Sequence, residues 1–456
     1  MTVFLPGLPD SLANLIQDRT LERIFHDALY PRLLFRSEAM AELWQANIGE
    51  RMAFTRTGLI PVSTVPLTPG VDPTPKSYGM EQWEAEARQF GDAIDTHMPT
   101  SYVTLAPLFL RNTVQLGLNA GETLNRLVRN RLFRSYLGGT TNLAVAAVIG
   151  QTQVEVASIN GYTETLLNAR PVPVGPGAPL AATIGAEDVS IVGAVPVNPL
   201  DPFGRGTLFL AAALAANHAI RSVVLATNRS RITRVGGGTS VDALGAGNII
   251  TMQDVINAVT RLRTAKIPPC ADGFYHVHLT PEGEAEIFAD AVFQRLYQSL
   301  PESATYRDLA IGQLLGCRFY RNTENPNPEN SGALVASGAS NSLVSGEVGA
   351  DVVNNAGLTV RRAIVVGGGS IYEKYLDESK YISEAGVTGK IGQFSVVNNG
   401  VQVMTNRIRY ILRAPLDRLQ QVVGQAWSWS GDFAVPSDAL TGDAARYKRA
   451  IVIEHA

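Results

Sequence analysis

The spacing of apolar and polar positions changes several times along this 456-residue chain, and each change predicts a different element. Leu12, Leu15, Ile16, Leu21, Ile24 and Phe25 keep a helical rhythm, so residues 9–47 read as helical. From Gly49 onward, "GERMAFTRTGLIPV" alternates as a strand does. Pro61, Pro66, Pro69, Pro73 and Pro75 follow. Proline offers no N–H to a ladder, so this stretch predicts an extended tip and not a central strand. In "MEQWEAEARQFGDAIDTHMP", Trp83, Ala85 and Ala87 alternate with Glu84, Glu86 and Arg88. That suits a strand, although Glu and Ala also favour helix, and spacing alone leaves both open. As a strand, it would make residues 49–98 one long two-stranded projection, marginal by itself and in need of a surface to lie on.

Residues 107–137 carry the clearest helical pattern, with Phe109, Thr113, Leu116, Ala120, Leu124, Leu127 and Val128 on one side. Pro107 suits a first turn and Gly138-Gly139 a stop. Between about 145 and 236 the chain is β-rich: "TQVEVASINGYTETLL" places Asn160-Gly161 between two strand-like runs, a hairpin signal, and "DVSIVGAVPV" and "SVVLAT" predict more strands. Helices are predicted over Met252–Arg263 and Glu282–Tyr297. Residues 323–357, rich in Asn, Ser and Gly, predict a long loop with at most one strand. "TVRRAIVVGGGS", "QQVVGQAWSWSGDFAV" and "YKRAIVIEHA" predict strands.

Composition narrows the function classes. Only 17% of residues are charged and the net charge is −3, so much of the surface is expected to be covered by other subunits. The balance leaves no overall basic footprint, and any contact with DNA would be local and non-specific. Cys270 and Cys317 lack metal or disulfide spacing and fit a reducing compartment. The start lacks the basic region of a signal peptide, and the apolar run "LFLAAALAANHAI" is too short to cross a membrane.

Candidate chemistry centres on "YHVHLTPEGEAEIFADAVF". His276 and His278 would share one face of a strand, and Glu282, Glu284 and Glu286 could complete a metal site for a hydrolase. Helix initiation explains the same residues: Thr280 as cap, Pro281 in the first turn, and the glutamates near the positive end of the helix dipole. The glycine runs "RVGGGTSVDALGAG" and "VVGGGSIYEKYL" lack the spacing of a phosphate-binding turn, as does Gly389-Lys390, and there is no GxSxG or HExxH.

Taken in order, "GERMAFTRTGLIPV…QWEAEARQFGDAIDTHMP", "GLNAGETLNRLVRNRL", "YHVHLTPEGEAEIFADAVFQ", "AIGQLLGCRFYRNTENP" and "APLDRLQQVVGQAWSWSGDFAV…RAIVIEHA" resemble the major capsid proteins of tailed phages with the HK-97-type fold. The resemblance leans toward the coat proteins of short-tailed phages. It implies an α+β fold: an N-terminal arm at 1–48, an E-loop hairpin at 49–98, and a P-domain with its spine helix at 99–144. A β-rich inserted domain follows at 145–236, more P-domain at 237–269, an A-domain at 270–415, and a return to the P-domain at 416–456. It favours strand for 80–97 and a packed strand for the histidines.

The implied role is structural: hexamers and pentamers of an icosahedral head around double-stranded DNA, with no catalytic residue, metal or cofactor. Intersubunit E-loop residues would be Arg51, Arg56, Lys76, Glu84, Glu86 and Arg88. Arg126, Arg129, Arg131 and Arg134 would meet DNA phosphates on the inner surface, or else only complement the helix dipole and neighbouring acids. Implied partners are other copies, a portal protein and a scaffolding protein, separate because no long helical region precedes the arm; a decoration protein is left open. With no recognisable acid–lysine–asparagine set around Lys76, the shell is expected to be non-covalent. Assembly would take place in the bacterial cytoplasm, with no membrane contact, and the product would be a virion capsid. The same fold also serves encapsulin-like protein compartments, which stays open beside the hydrolase reading.

Overall fold

The computed structural model describes residues 20–29, 34–44, 49–57, 60, 62–78, 80–103, 108–167, 170–199, 202–298, 312–325, 354, 356–378, 387–391, 394–397, 400–415, 417–419, 421–436 and 448–456. Two compact units emerge, each assembled from separate stretches of chain. One comprises 1–52, 85–128 and 372–434; the other comprises 53–84, 129–371 and 435–456.

The first unit is built on an eight-stranded sheet whose longest member is Val422–Ala434. Its buried and half-buried positions nearly alternate, which places Val423, Trp427 and Trp429 in the core. Arg88–His97 pairs antiparallel along it, with His97 opposite Val422 and Arg88 opposite Gly431. Ile408–Arg413 pairs with residues 424–428 of the same strand, followed outward by Gly400–Thr405, Phe394–Val397 and Val387–Ile391. The turn joining Gly400–Thr405 to Ile408–Arg413 holds Asn406 and Arg407 at φ 48° and 66°, the left-handed pair that a two-residue hairpin loop requires.

The long helix Leu108–Leu137 begins in this unit, and Phe109, Thr113, Leu116, Ala120 and Leu124 are buried as the periodicity predicts. Polar contacts fix its register. Gln425 Nε2 donates to Thr113 Oγ1 at 3.1 Å, Trp427 Nε1 donates to Asn119 Oδ1 at 2.9 Å, and Asn125 Oδ1 accepts from the Phe35 amide at 2.7 Å. Helix Thr20–Leu29 buries Leu21, Phe25 and Leu29, with the Phe25 ring 4.9 Å from that of Tyr410. It passes so close to Gly117 that an added Cβ would lie 2.8 Å from both Ala28 Cβ and the Phe25 carbonyl oxygen. Gly117→Val is therefore expected to cost about 1–3 kcal/mol through overpacking. Thermal melts beside Gln115→Val, at an exposed position of the same helix, check this: equal losses would show that the close approach does not matter.

Residues 9–47 are not helical throughout. Ala39–Trp44 is a strand at the edge of the eight-stranded sheet, paired to Ile371–Leu376, and Lys374 Nζ meets Glu42 Oε2 at 2.8 Å. Pairing and the burial of Trp44 override the helical preference of "AMAELW". A second long-range tie is the buried Glu373 carboxylate, which accepts from Arg36 Nε at 3.2 Å and Arg407 Nη1 at 2.7 Å.

The second unit holds two six-stranded sheets. The order of one is Ile232–Arg234, Ala450–His455, Arg361–Val366, Tyr275–Leu279, Cys317–Arg321, Gln313–Leu314. Met252–Thr264 and Pro281–Ala289 cover it, and Val255, Val259, Leu262, Val277, Ile287, Val365, Ile451 and Ile453 form its core. The helix predicted over 282–297 is broken at Asp290, whose carboxylate accepts from the amides of Met252 and Val292, both at 3.0 Å.

The other sheet is antiparallel, in the order Thr140–Asn142, Val223–Ala226, Leu180–Ile184, Glu187–Pro196, Gly206–Leu210, Gln153–Val156. A bridge between Leu143 and Val156 joins its two ends, so the sheet closes into a small barrel. Leu143, Val154, Val156, Leu180, Ile184, Ile191, Leu208 and Val224 fill it, and the buried Tyr162 hydroxyl donates to Val224 O at 2.8 Å.

Asn160-Gly161 does not make the predicted hairpin: Gln153–Val156 pairs with Gly206–Phe209, and Glu164–Leu167 with Arg170–Pro173. Instead that turn ends the long helix. Asn160 Nδ2 donates to Arg134 O at 2.9 Å, and the Gly139 amide donates to Asn160 O at 2.9 Å. Gly161, at φ 82°, lies so close to Gly138-Gly139 that no side chain fits.

These divisions differ from those the resemblance implied. Residues 88–97 are a sheet strand of the first unit and not the far half of a projection. The 270–415 segment divides between the units at 371/372, and 416–456 divides at 434/435. Most of the loop at 323–357, together with Pro107, lies outside the described residues.

Candidate functional site

Arg51–Thr57 and Met80–Glu86 pair as an isolated two-stranded ribbon. Its strands are held by near and distant contacts: the Phe54 and Trp83 rings stack with centroids 5.6 Å apart, Gln82 Nε2 donates to Thr55 Oγ1 at 3.0 Å, Gln82 Oε1 accepts from Arg170 Nε at 2.9 Å, and the Glu86 amide donates to Asp432 Oδ2 at 2.9 Å. Between the strands, residues 62–78 carry no helix or strand. The prolines prevent a ladder, and Gly70 at φ 83° makes the one left-handed bend described there. This tip turns its apolar side chains outward: Val62 is 84% exposed, Val65 80%, Leu67 70% and Val71 63%. Scattered single exposures are ordinary, but four on one short proline-stiffened tip form a surface that a partner would cover.

The charged residues assigned to the ribbon fall into two places. At its root Glu86 sits between Arg88 at 2.9 Å and Arg51 at 3.8 Å, and the hydrogen bond from Arg88 holds its carboxyl below the usual range. In the tip Lys76 Nζ donates to Ser63 Oγ at 2.8 Å, linking the two limbs. Glu84 is exposed on the ribbon, while the Arg56 side chain lies outside the described residues.

The arginines of the long helix do not form a solvent-facing stripe. Arg129 is buried, with 1% of its side chain exposed; Nη1 donates to Glu324 O at 3.1 Å and lies 3.8 Å from Glu324 Oε2. The Arg134 guanidinium covers the Phe203 ring at 4.2 Å, and Arg126 and Arg131 are half-buried. Arg129, expected as a DNA contact, is instead buried within the subunit: positions 126, 129, 131 and 134 point around the helix, and 129 falls on its packed side. Arg129→Gln should lower the stability of the unassembled subunit by about 1–3 kcal/mol. An unchanged melt would contradict that role.

His276 and His278 do share a face, each ring 5.2 Å from Tyr320 on the neighbouring strand. Their partners, however, are structural. His278 is fully buried and its Nδ1 is 3.3 Å from Asn322 Nδ2; His276 Nε2 meets Asp272 Oδ2 at 2.9 Å, which Arg318 Nη1 shares at 2.8 Å.

The glutamates of the candidate metal site face elsewhere. Glu284 pairs with Arg321, Glu286 accepts from the Ile250 amide at 2.9 Å and meets the buried His455 at 2.8 Å, and Glu282 lies 4.0 Å from Arg361. Thr280 Oγ1 accepts from the Gly283 amide at 3.0 Å, the predicted cap. The glycine run 367–369 is likewise structural: the Gly367 amide donates to Arg449 O, the Gly368 amide donates to Pro268 O, and a Cβ on Gly368 would collide with Pro269 O.

No family model matches the chain, and no curated protein matches it. Among solved structures it is similar to the capsid of the cyanophage P-SCSP1u (10% identity, TM-score 0.46, covering 93% of this chain and 88% of that one). It is also similar to the capsid of Ralstonia phage GP4 (12% identity, TM-score 0.45, 92% and 90% covered). The capsid asymmetric unit of cyanophage Pam1 is similar at 9% identity and TM-score 0.48, with 94% and 92% covered.

Proposed function

We propose that this chain is a tailed-phage major capsid protein, a structural subunit that assembles with copies of itself into a closed icosahedral head. The observation that carries this reading is the ribbon. A two-stranded projection whose tip turns four valine and leucine side chains to solvent in one copy would be completed there by a neighbour. Low surface charge points the same way, because 17% charged residues suit a chain whose faces are covered by its own kind. Each contact can be weak, since symmetric closure multiplies it over many copies.

The finer expectations belong to this proposal. Hexamers and pentamers form the head in the bacterial cytoplasm with a scaffolding and a portal protein, and the ribbon lies over the adjacent copy. Packaged double-stranded DNA is held through a few phosphate contacts, for which Arg126 and Arg131 remain candidates. The role is structural and not catalytic. A fully buried His278 and glutamates committed to Arg321, His455 and Arg361 offer nothing to the hydrolase alternative. Sedimentation velocity of the purified chain tests the proposal: capsomer-sized and shell-sized species should grow with concentration, whereas a single-copy species at every concentration would overturn it.

A further inference from the structure

One end of the barrel is formed by two loops, residues 144–150 and 211–220, neither of which contains Asp, Glu, Lys or Arg. They are knitted into one surface. The amides of Ala147 and His218 each donate to the other's carbonyl, at 2.9 and 2.8 Å. The Gly150 amide donates to Leu214 O at 2.9 Å, and that of Ile149 to Asn217 Oδ1 at 2.8 Å. Beneath them the Glu187 carboxylate accepts from the amides of Ala215 and Ala216 at 2.6 and 3.2 Å and meets His218 Nε2 at 2.8 Å. Those bonds, that from Ala215 foremost, hold its carboxyl below the usual range.

The loops are thus fixed in shape, yet they present their apolar side chains to solvent: Val145 is 48% exposed, Val148 52%, Ile149 58% and Ile220 57%, among exposed alanines. Leu214 alone of their large aliphatic side chains turns inward, to the barrel core. A rigid apolar surface of this kind marks an interaction site.

We infer that these two loops form a contact surface for the same two loops of a second copy of this chain. Charge argues for that occupant. The loops themselves carry no charged side chain, the carboxylate beneath them is engaged by the amides and imidazole of the 211–220 loop, and the nearest rim cation, Arg221, is already paired with Asp242 at 2.8 Å. Such a surface meets its own image without like-charge repulsion, whereas a charged partner would find no counter-charge on it. The many alanines let two backbones approach closely. Copies are brought together only if the chain self-assembles, so this contact rests on the proposal above, but it places a second junction on the barrel, remote in sequence from the ribbon.

Single cysteines at Val145, Val148 and Ile220 in the full-length chain test the contact under mild oxidation. At least one should give a disulfide-linked dimer that the unaltered chain, with only Cys270 and Cys317, does not form. In parallel, Val148→Asp with Ile220→Asp should keep the melting curve while raising the concentration needed for self-association about tenfold or more. If no cysteine variant cross-links, or if the double aspartate variant self-associates like the unaltered chain, the barrel contact is refuted while the shell proposal stands. If the unaltered chain never self-associates, both fall. Flotation of the unaltered chain with phosphatidylcholine vesicles, without cross-linking, would overturn the contact in favour of a lipid surface.

Discussion

Replacing residues 60–78 by Asn-Gly should leave a folded, soluble subunit that forms no stable shell. The change spares both ribbon strands and leaves a five-residue connection between them, Gly58-Leu59-Asn-Gly-Gly79, short enough for a hairpin. The excised tip is exposed nearly throughout, so the subunit's own stability has little to lose, and its melting temperature should move by only a few degrees. Assembly should respond very differently. Val62, Val65, Leu67 and Val71 together offer about 5 kcal/mol or more of apolar burial if a neighbour covers them. Lost at every junction, that is enough to prevent closure. Electron microscopy and differential scanning calorimetry check the two halves. Normal particles from the shortened chain would remove the ribbon from the account.

The largest loss within a single copy is expected from Glu454→Ala. Glu454 stands on the strand Ala450–His455, second in its sheet, with 1% of its side chain exposed. It pairs with Arg234 Nε at 2.8 Å and Arg362 Nε at 3.1 Å, and both arginine side chains are buried to within 8%. Removing the carboxylate would strand two buried cations and cost about 3–5 kcal/mol, a large share of the stability of an ordinary domain.

Burial alone would raise the Glu454 pKa, but the Coulombic pull of Arg234 and then Arg362 outweighs it, and the folded value lies below the ordinary one. Its contribution is therefore complete above the unfolded value of about 4.3 and is lost as pH falls through the lower, folded value. Acid unfolding of the unaltered chain should show this component, and Glu454→Gln should flatten it while being less stable at neutral pH. Equal neutral-pH melts for Glu454→Ala and the unaltered chain would show that the triad contributes nothing.

Local order was legible in the sequence where one physical signal acted alone. The long helix follows from the spacing of Phe109, Leu116 and Leu124, the ribbon's tip from its prolines, and the start of Pro281–Ala289 from Thr280 and Pro281. Reading failed where a distant partner decided. Ala39–Trp44 has helical composition and became a strand because Ile371–Leu376 offers it an edge. Asn160-Gly161 carries the best hairpin signal in the chain but serves the C-terminus of a helix, because Gly138-Gly139 leaves room only for a glycine against it.

The candidate sites divide in the same way. An arginine's charge is visible in sequence, but its partner is not, and Glu324 lies 195 residues from Arg129. The barrel loops did leave a trace, since "AVAAVIG" and "LAAALAANHAI" are uncharged runs. Their length excludes a membrane span, yet their place at the surface needed the closed barrel beneath them.

The central claim is that this chain completes itself with its own copies, and single-particle cryo-electron microscopy of the purified protein tests it most directly. The account predicts hollow closed shells of hexamers and pentamers, with residues 62–78 of each copy resting on the copy beside it. A monodisperse population of single copies at every concentration, with that tip facing solvent, would contradict it.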